Sequence, residues 1–204
     1  MIGEDPKVAA FLPEGQEGVY RVERFTVPEG DIHAVALGFK GRGIRPGTYT
    51  SLMRGETLVM SDTPAEWRDH APFVYSAHGR VLVAGLGIGM VANALLKRPA
   101  VTHVTVVEIA HEVINLVGPH LKALHGDKLT LVQGNILTWQ PPRGETWDCG
   151  WYDIWDNITP DNLGEMKKLH RRFGSKVGRQ ASWARAQCER RERDERNYFK
   201  GFRL

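Results

Sequence analysis

The strongest constraint on the fold is the run from Val81 to Met90, where a short apolar segment leads directly into a Gly-x-Gly-x-Gly sequence. Glycine permits backbone angles that other residues avoid, and it lets a ligand approach the main chain closely. Three more apolar segments of strand length follow at 102–109, 129–134 and 147–154, and helical patterns separate the first three of the four. Strands that are apolar on both faces and alternate with helices are typical of a parallel sheet covered by helices. We therefore predict an α/β fold with a Rossmann-like, mostly parallel sheet and helices on both faces.

Two further regions flank this sheet in the sequence. Residues 1–60 are predicted to form a small β-rich N-terminal subdomain, with strands at 19–27 and 32–39 and a strand pair around Arg54-Gly55-Glu56. The sheet domain is assigned to residues 61–160, which open with a helix start at Ser61-Asp62-Thr63-Pro64. Pro72 is expected to kink or end that helix. Residues 161–204 show no strand pattern and are predicted to form a basic helical C-terminal extension.

Composition excludes several classes of protein. No run of 18 apolar residues is present, so the sequence predicts no transmembrane helix, and the acidic N-terminus with Pro6 and Pro13 does not resemble a secretory signal. Neither the two cysteines, Cys149 and Cys188, nor the eight histidines have the spacing of metal ligands. We therefore expect a cytoplasmic protein that has no metal site and does not bind a membrane.

Charge is distributed unevenly along a chain whose net charge is +3. From Glu165 to the C-terminus there are 13 Lys and Arg against 5 Asp and Glu, so the preceding part is acidic. Between Lys167 and Arg185 every charged residue is basic, which indicates either a solvated face or a surface for nucleic acid or an acidic partner. From Glu189 onward acids and bases are interleaved at helical spacing, and this stretch is predicted to be a solvated helix.

Two kinds of ligand use a glycine-rich turn that follows a strand. Dinucleotide sites favour Gly-x-Gly-x-x-Gly/Ala, and the position of the last small residue is held here by Met90, which is too bulky. S-adenosylmethionine has no pyrophosphate, and its site tolerates Gly-x-Gly-x-Gly. Glu108 ends the next strand, 19 residues after Gly89, where an acid can accept hydrogen bonds from both ribose hydroxyls. The pattern favours S-adenosylmethionine; the alternatives are a dinucleotide and a tight turn without a ligand.

With these motifs the chain resembles the class I S-adenosylmethionine-dependent methyltransferases, and within them the spermidine synthase-like branch. The matching segments are the glycine-rich turn, Val106-Val107-Glu108-Ile109, Gly134-Asn135 in place of Gly-Asp, and the acids of WDCGWYDIWD. The upstream segment GETLVMSDTPAEWRDH is similar to the strand, turn and helix that precede the glycine motif in that branch. The resemblance covers roughly residues 48–160. It implies a transferase that uses S-adenosylmethionine or, as the alternative, its decarboxylated form.

The resemblance also implies which residues would hold this cofactor. The backbone that would face its amino-acid part is that of Gly85, Gly87 and Gly89. Glu108 would hold the ribose, and Ile109 and Ile136 would lie on either side of the adenine. Asn135 replaces the usual Asp at the adenine amino group; its side-chain oxygen can accept that hydrogen bond, although its NH2 group cannot.

The candidate catalytic residues follow the fourth strand. Asp153 is expected at the carboxyl end of that strand, where open α/β sheets place reactive groups, and the resemblance implies a carboxylate beside the transferred group. Asp156 would help to bind a cationic substrate, or alternatively it caps the next helix.

The candidate substrate-binding residues include aromatic side chains near these acids. Trp155 would form an aromatic cage for a cation together with its neighbours, or these rings simply pack in the core. The neighbours in question are Trp147, Trp151 and Tyr152. Glu66 and His70, from the upstream helix, are the remaining candidates, and both rest on the resemblance.

The resemblance ends after the fourth strand. A complete class I methyltransferase continues with three more strands, whereas the last 45 or so residues here are predicted to be helical. We therefore expect a shortened sheet, or one that a second subunit completes, with a homodimer as one outcome. Three functions stay open: a methyltransferase acting on an unidentified small molecule, an aminopropyltransferase acting on an amine, and a non-catalytic protein that binds nucleic acid or a protein through its basic C-terminal part.

Overall fold

The computed structural model describes residues 7–30 and 43–201, and it contains two sheets. The first is antiparallel and has the strand order β1-β2-β3-β4. Its strands are β1 (Gly15–Glu17), β2 (Tyr20–Val27), β3 (Gly47–Arg54) and β4 (Thr57–Ser61). The strand pair predicted around Gly55 is therefore present, whereas the strand predicted at 32–39 lies outside the described residues.

The second sheet has five parallel strands in the order β7-β6-β5-β8-β9. Its strands are β5 (Gly79–Ala84), β6 (Val101–Glu108), β7 (Leu129–Gln133), β8 (Trp147–Tyr152) and β9 (Val177–Ser182). The helices are α1 (Pro64–Ser76), α2 (Met90–Leu96), α3 (His111–His125), α4 (Asn162–Arg172) and α5 (Arg185–Gly201). The predicted α/β fold with a Rossmann-like parallel sheet is confirmed. None of the helices in the described ranges is long and apolar enough to cross a membrane.

The central strand β5 contributes to two hydrophobic cores, because successive side chains of a strand point to opposite faces. Val81 and Val83 pack in the larger core, which α1, α2 and α3 cover. Leu82 and Ala84 pack in the smaller core under α4. Burial on both faces explains why every residue from Val81 to Ala84 is apolar.

The C-terminal extension is not entirely helical, and this corrects the sequence prediction. Strand β9 pairs in parallel with β8, so the sheet has a fifth strand where four were expected. Gly178, in the part that was predicted to be helical, is a position within that strand. Only Val177 and Ser182 of β9 are buried, because β9 lies at the edge of the sheet in the described chain. Gly178, Arg179 and Gln180 interrupt β9, so it lacks the apolar run that identified the other four strands.

Two other local features concern helix α1 and the connection after β7. Helix α1 continues through Pro72 to Ser76, although the sequence predicted a kink or an end there. Phe73 and Val74, which follow the proline, are buried in the larger core, and this packing outweighs the loss of one backbone hydrogen bond. The connection between β7 and β8, residues 134–146, contains no helix.

Candidate functional site

A cavity of about 300 Å³ lies at the carboxyl edge of the parallel strands. Open α/β sheets bind their ligands at this edge. The cavity brings together most of the residues predicted from the sequence, namely Glu66, Gly85, Gly87, Glu108, Ile109, Asn135, Ile136, Asp153, Trp155 and Asp156. Gly89 and His70 do not line it. Its volume is at the lower end of the range for small-molecule sites.

The glycine-rich turn has a left-handed backbone, with φ angles of +94° at Gly85 and +75° at Gly89. A Cβ atom at Gly85 would lie 2.1 Å from the carbonyl oxygen of Asp153, so this glycine allows β5 and the end of β8 to approach each other. A Cβ atom at Gly89 would lie 2.8 Å from Leu121 of α3. Gly89 therefore faces a helix rather than the cavity.

Met60 of β4 lies against the same turn. Its sulfur accepts a hydrogen bond from the backbone N–H of Ile88 at 3.2 Å, and a Cβ atom at Gly87 would lie 1.9 Å from that sulfur. This contact was not predictable from the sequence motifs, because Met60 belongs to the N-terminal sheet. That sheet forms one wall of the cavity through Tyr20, Leu52, Arg54, Val59 and Met60.

Glu108, at the end of β6, is fixed by the backbone on both sides. One carboxylate oxygen accepts the N–H of Leu86 at 2.7 Å, and the other accepts the N–H of Ala110 at 2.9 Å. A carboxylate has about four acceptor positions, so each oxygen can accept one further hydrogen bond. The position of Glu108 in the cavity therefore suits a vicinal diol.

The segment after β7 provides the residues that were predicted to surround an adenine. Ile136 is buried, whereas the side chain of Ile109 is 64% exposed. Asn135 uses its side-chain oxygen to accept the backbone N–H of Leu137 at 2.9 Å. That oxygen keeps one acceptor position, so the expected contact with an amino group is still chemically available.

Asp153 follows β8, and its backbone N–H donates to the carbonyl of Ala84 at 2.9 Å. Its carboxylate is 23% exposed and lies 3.8 Å from Nδ1 of the buried His70. Burial raises the pKa of Asp153 well above its usual range. Three neighbouring carboxylates raise it further, those of Glu66, Asp69 and Glu108. A carboxyl group in this state holds a proton more tightly than an exposed aspartate does.

Asp156 forms a salt bridge with Arg54 of β3, at 2.5 Å. Both side chains are more than 40% exposed, and both line the cavity. Helix α4 begins at Asn162, with Asp161 at the capping position, so the alternative prediction that Asp156 caps this helix is wrong. The pair connects the N-terminal sheet to the segment that follows β8.

Two of the four aromatic residues predicted as a cage line the cavity, namely Trp151 and Trp155. Trp147 and Tyr152 instead pack in the core under α4. Two other aromatic rings line the cavity, those of Tyr20 and Trp183, and they were not predicted because they are distant in sequence from the acids. Trp155 donates its indole N–H to Glu165 at 2.9 Å. The indole N–H groups of Trp151 and Trp183 have no acceptor in the described parts of the chain. Unpartnered buried donors are costly, so an acceptor on a ligand would stabilise them.

No metal site emerges from the described residues: within 7–30 and 43–201, no three His, Cys, Asp or Glu side chains are placed to hold an ion. Cys149 and Cys188 are both buried and unpaired.

The chain is similar to known proteins in structure only. No protein-family model and no curated protein matches the sequence. Similar solved structures include a spermidine synthase from Thermotoga maritima, with 16% identity over 81% of this chain and 52% of that chain and a TM-score of 0.48. The CcbJ methyltransferase from Streptomyces caelestis has 17% identity over 57% of this chain and 48% of that chain, with a TM-score of 0.44. A dimethyladenosine transferase from Plasmodium falciparum has 23% identity over 37% of this chain and 26% of that chain, with a TM-score of 0.31.

The matched part thus spans between a quarter and about half of the length of these three proteins. Since every TM-score is below 0.5 and every identity below 25%, no activity is transferred from them.

Proposed function

We propose that the chain binds S-adenosylmethionine in this cavity and transfers its methyl group to an acceptor. The observation that carries the proposal is that one cavity joins the glycine-rich turn after β5, Glu108 at the end of β6 and Asp153 after β8. When bound, the cofactor supplies a methyl carbon that is made electrophilic by its sulfonium centre.

The described residues fit such a cofactor. Glu108 has acceptor positions free for the two ribose hydroxyls, and the exposed Ile109 would be covered by an adenine ring that also contacts Ile136. Covering an exposed isoleucine contributes binding energy through the hydrophobic effect. In its ionised form Asp153 would accept a proton from the acceptor, because burial raises its pKa and thereby its affinity for a proton.

One observation favours aminopropyl transfer as the second candidate. The cavity is lined by five carboxyl groups, those of Glu66, Glu108, Asp153, Asp156 and Glu165. Its single described guanidinium, that of Arg54, is already paired with Asp156. Such an excess of acids attracts an amine and repels the carboxylate of ordinary S-adenosylmethionine, which the decarboxylated cofactor lacks.

Isothermal titration with three ligands tests the proposal and separates these candidates. The ligands are S-adenosylmethionine, its decarboxylated form and NAD, each added to the wild-type chain and to Glu108→Ala. We expect micromolar binding of one sulfonium compound, lost in Glu108→Ala and kept in Asp127→Ala, a matched control at an exposed acid outside the cavity. Binding of NAD alone would refute the proposal. If none of the three bound, the third hypothesis, a non-catalytic scaffold, would replace it.

A cytoplasmic location and a homodimer remain part of the proposal. The two unpaired cysteines suit a reducing compartment, and the edge strand β9 is a surface at which a second copy could pair.

A further inference from the structure

The solvent-facing side of α4 carries four cations, and we call it the α4 basic face. Its members are Lys167, Lys168, Arg171 and Arg172. The first three are exposed and Arg172 is half-buried, while the opposite side of the helix is buried through Leu163, Met166 and Leu169. The single acid of α4 is Glu165, which accepts a hydrogen bond from Trp155, and the chain has no Asp or Glu between Met166 and Cys188.

These cations repel one another. Lys167 and Arg171 are four residues apart, as are Lys168 and Arg172, and like charges at this spacing destabilise a helix. The helix dipole favours cations only within the last turn, so it does not account for Lys167 and Lys168.

Helix α5 provides an internal comparison. It contains more arginines than α4, but Arg185 pairs there with Glu189 and Arg196 pairs with Glu192. None of the four cations of the α4 basic face forms a salt bridge within the described chain. Part of the positive charge of α5 is therefore compensated within that helix, whereas none of the charge on the α4 basic face is.

The α4 basic face begins next to the candidate site. Glu165, in the first turn of α4, lines the cavity and accepts the hydrogen bond from Trp155. A second cavity of about 230 Å³ lies along the flank of α4, lined by Leu137, Glu165, Lys168, Leu169 and Arg172. Leu137 and Glu165 line both cavities, so the two adjoin.

We propose that the α4 basic face binds the phosphate backbone of a nucleic acid. A row of uncompensated Lys and Arg is the electrostatic feature that neutralises phosphates. An acidic protein would be the other polyanion, but the centre of a protein interface is apolar and depleted in lysine. No large hydrophobic residue is exposed on α4, whereas interfaces with nucleic acid are polar and strongly positive. The proposal concerns a surface outside the cavity and does not depend on cofactor binding.

Binding of fluorescently labelled nucleic acid to the full chain tests this proposal. The probes are a 20-nucleotide single-stranded RNA and a 20-base-pair DNA duplex, each titrated at several salt concentrations. The variant Lys167→Gln/Lys168→Gln/Arg171→Gln removes three exposed charges without touching Arg172, which also bonds to the carbonyl groups of Thr138 and Trp139. We expect at least one probe to bind, about tenfold or more weaker binding by the variant, and a salt slope reduced by about 2–3.

The control variant removes three charges from α5 instead, as Arg190→Gln/Arg193→Gln/Arg196→Gln. It should keep most of the affinity, and equal losses in both variants would overturn the proposal, as would the absence of binding to either probe. A 20-residue poly-glutamate that bound with the same dependence on α4 would replace nucleic acid by an acidic protein and overturn it too. Thermal unfolding of both variants reports their folding. Titration with S-adenosylmethionine on the same samples shows separately whether the proposed function stands.

Discussion

Gly85 and Asp153 are in such close backbone contact that a Cβ atom on the glycine would lie 2.1 Å from the carbonyl oxygen of the aspartate. The glycine follows β5 and begins the glycine-rich turn, and the aspartate carries the candidate catalytic carboxyl. Their contact, together with the hydrogen bond from the Asp153 N–H to Ala84, fixes the position of that carboxyl relative to the turn.

The substitution Gly85→Ala is therefore expected to destabilise the fold strongly. The added Cβ must displace backbone, and the alanine must adopt a φ of +94°. We therefore expect the free energy of unfolding, measured in urea, to fall by about 3 kcal/mol or more. Gly144→Ala is the matched control, because Gly144 has a φ of +85° but open space around its Cβ position. That control should lose about 1–2 kcal/mol, the cost of the backbone angle alone. Equal losses would show that the contact with Asp153 is unimportant.

Met60 is expected to oppose ligand binding at the glycine-rich turn. Its sulfur occupies the space over Gly87 and accepts the hydrogen bond from the N–H of Ile88. A cofactor that contacts this turn must therefore displace the Met60 side chain. We predict that Met60→Ala increases the affinity for S-adenosylmethionine several-fold in calorimetry. Met60→Leu keeps the bulk but not the sulfur and should resemble the wild type. Weaker binding by Met60→Ala would mean that the methionine supports the ligand.

Asp153→Asn should stabilise the protein at neutral pH. The pKa of Asp153 is raised by burial, so the native state keeps a proton that the unfolded chain releases near pH 4. The native state then binds more protons in the window above pH 4, and the wild type loses stability as pH rises through it. Asparagine does not titrate and avoids this loss.

Melting temperatures measured at pH 5 and pH 8 check this prediction. The melting temperature of Asp153→Asn should exceed that of the wild type by more at pH 8 than at pH 5. The difference should be about 2–4 °C for each kcal/mol of unfolding free energy that the wild type loses between these pH values. Asp127→Asn, at an exposed position outside the cavity, serves as the control. A gain that is the same at both pH values would contradict a raised pKa.

The salt bridge between Arg54 and Asp156 is expected to affect binding more than stability. Because both side chains are more than 40% exposed, a double-mutant cycle with Arg54→Gln and Asp156→Asn should give a coupling of at most about 1 kcal/mol. If the cavity accepts an amine, Arg54→Gln frees a carboxylate and should tighten binding of 1,4-diaminobutane, whereas Asp156→Asn should weaken it. Changes in the same direction would argue against an amine.

Local patterns in the sequence were sufficient to predict the parallel sheet. Strands β5, β6, β7 and β8 each lie in an apolar segment of strand length, and each was found. Strand β9 was missed because Gly178, Arg179 and Gln180 interrupt it, whereas the other edge strand, β7, keeps apolar residues at Leu129, Leu131 and Val132. Pro72 was expected to end α1, but the buried Phe73 and Val74 hold the helix together beyond it. The helix-breaking tendency of the proline is thus outweighed by tertiary packing, which local sequence patterns do not reveal.

Residues of the candidate site were predictable where they lie at the carboxyl end of a recognisable strand, as Glu108 and Asp153 do. It was not predictable where a wall comes from a distant part of the chain, as with Tyr20, Met60 and Trp183. The glycine motif shows a further difference, because its glycines were explained by the backbone angles of the turn and by close approach of a ligand. A Cβ atom at any of the three would also meet a protein neighbour, which is Asp153 at Gly85, Met60 at Gly87 and Leu121 at Gly89.

The strand order has a consequence for the synthesis of the chain. β5 lies between β6 and β8, and its partner in β8 is encoded far downstream, as the pairing of Val81 with Cys149 shows. On the ribosome, β5, β6 and β7 can assemble while one edge of the central apolar strand still waits for β8. An unpaired apolar edge is a template for aggregation. A nascent chain that ends before Trp147 therefore leaves one edge of the apolar strand β5 unpaired.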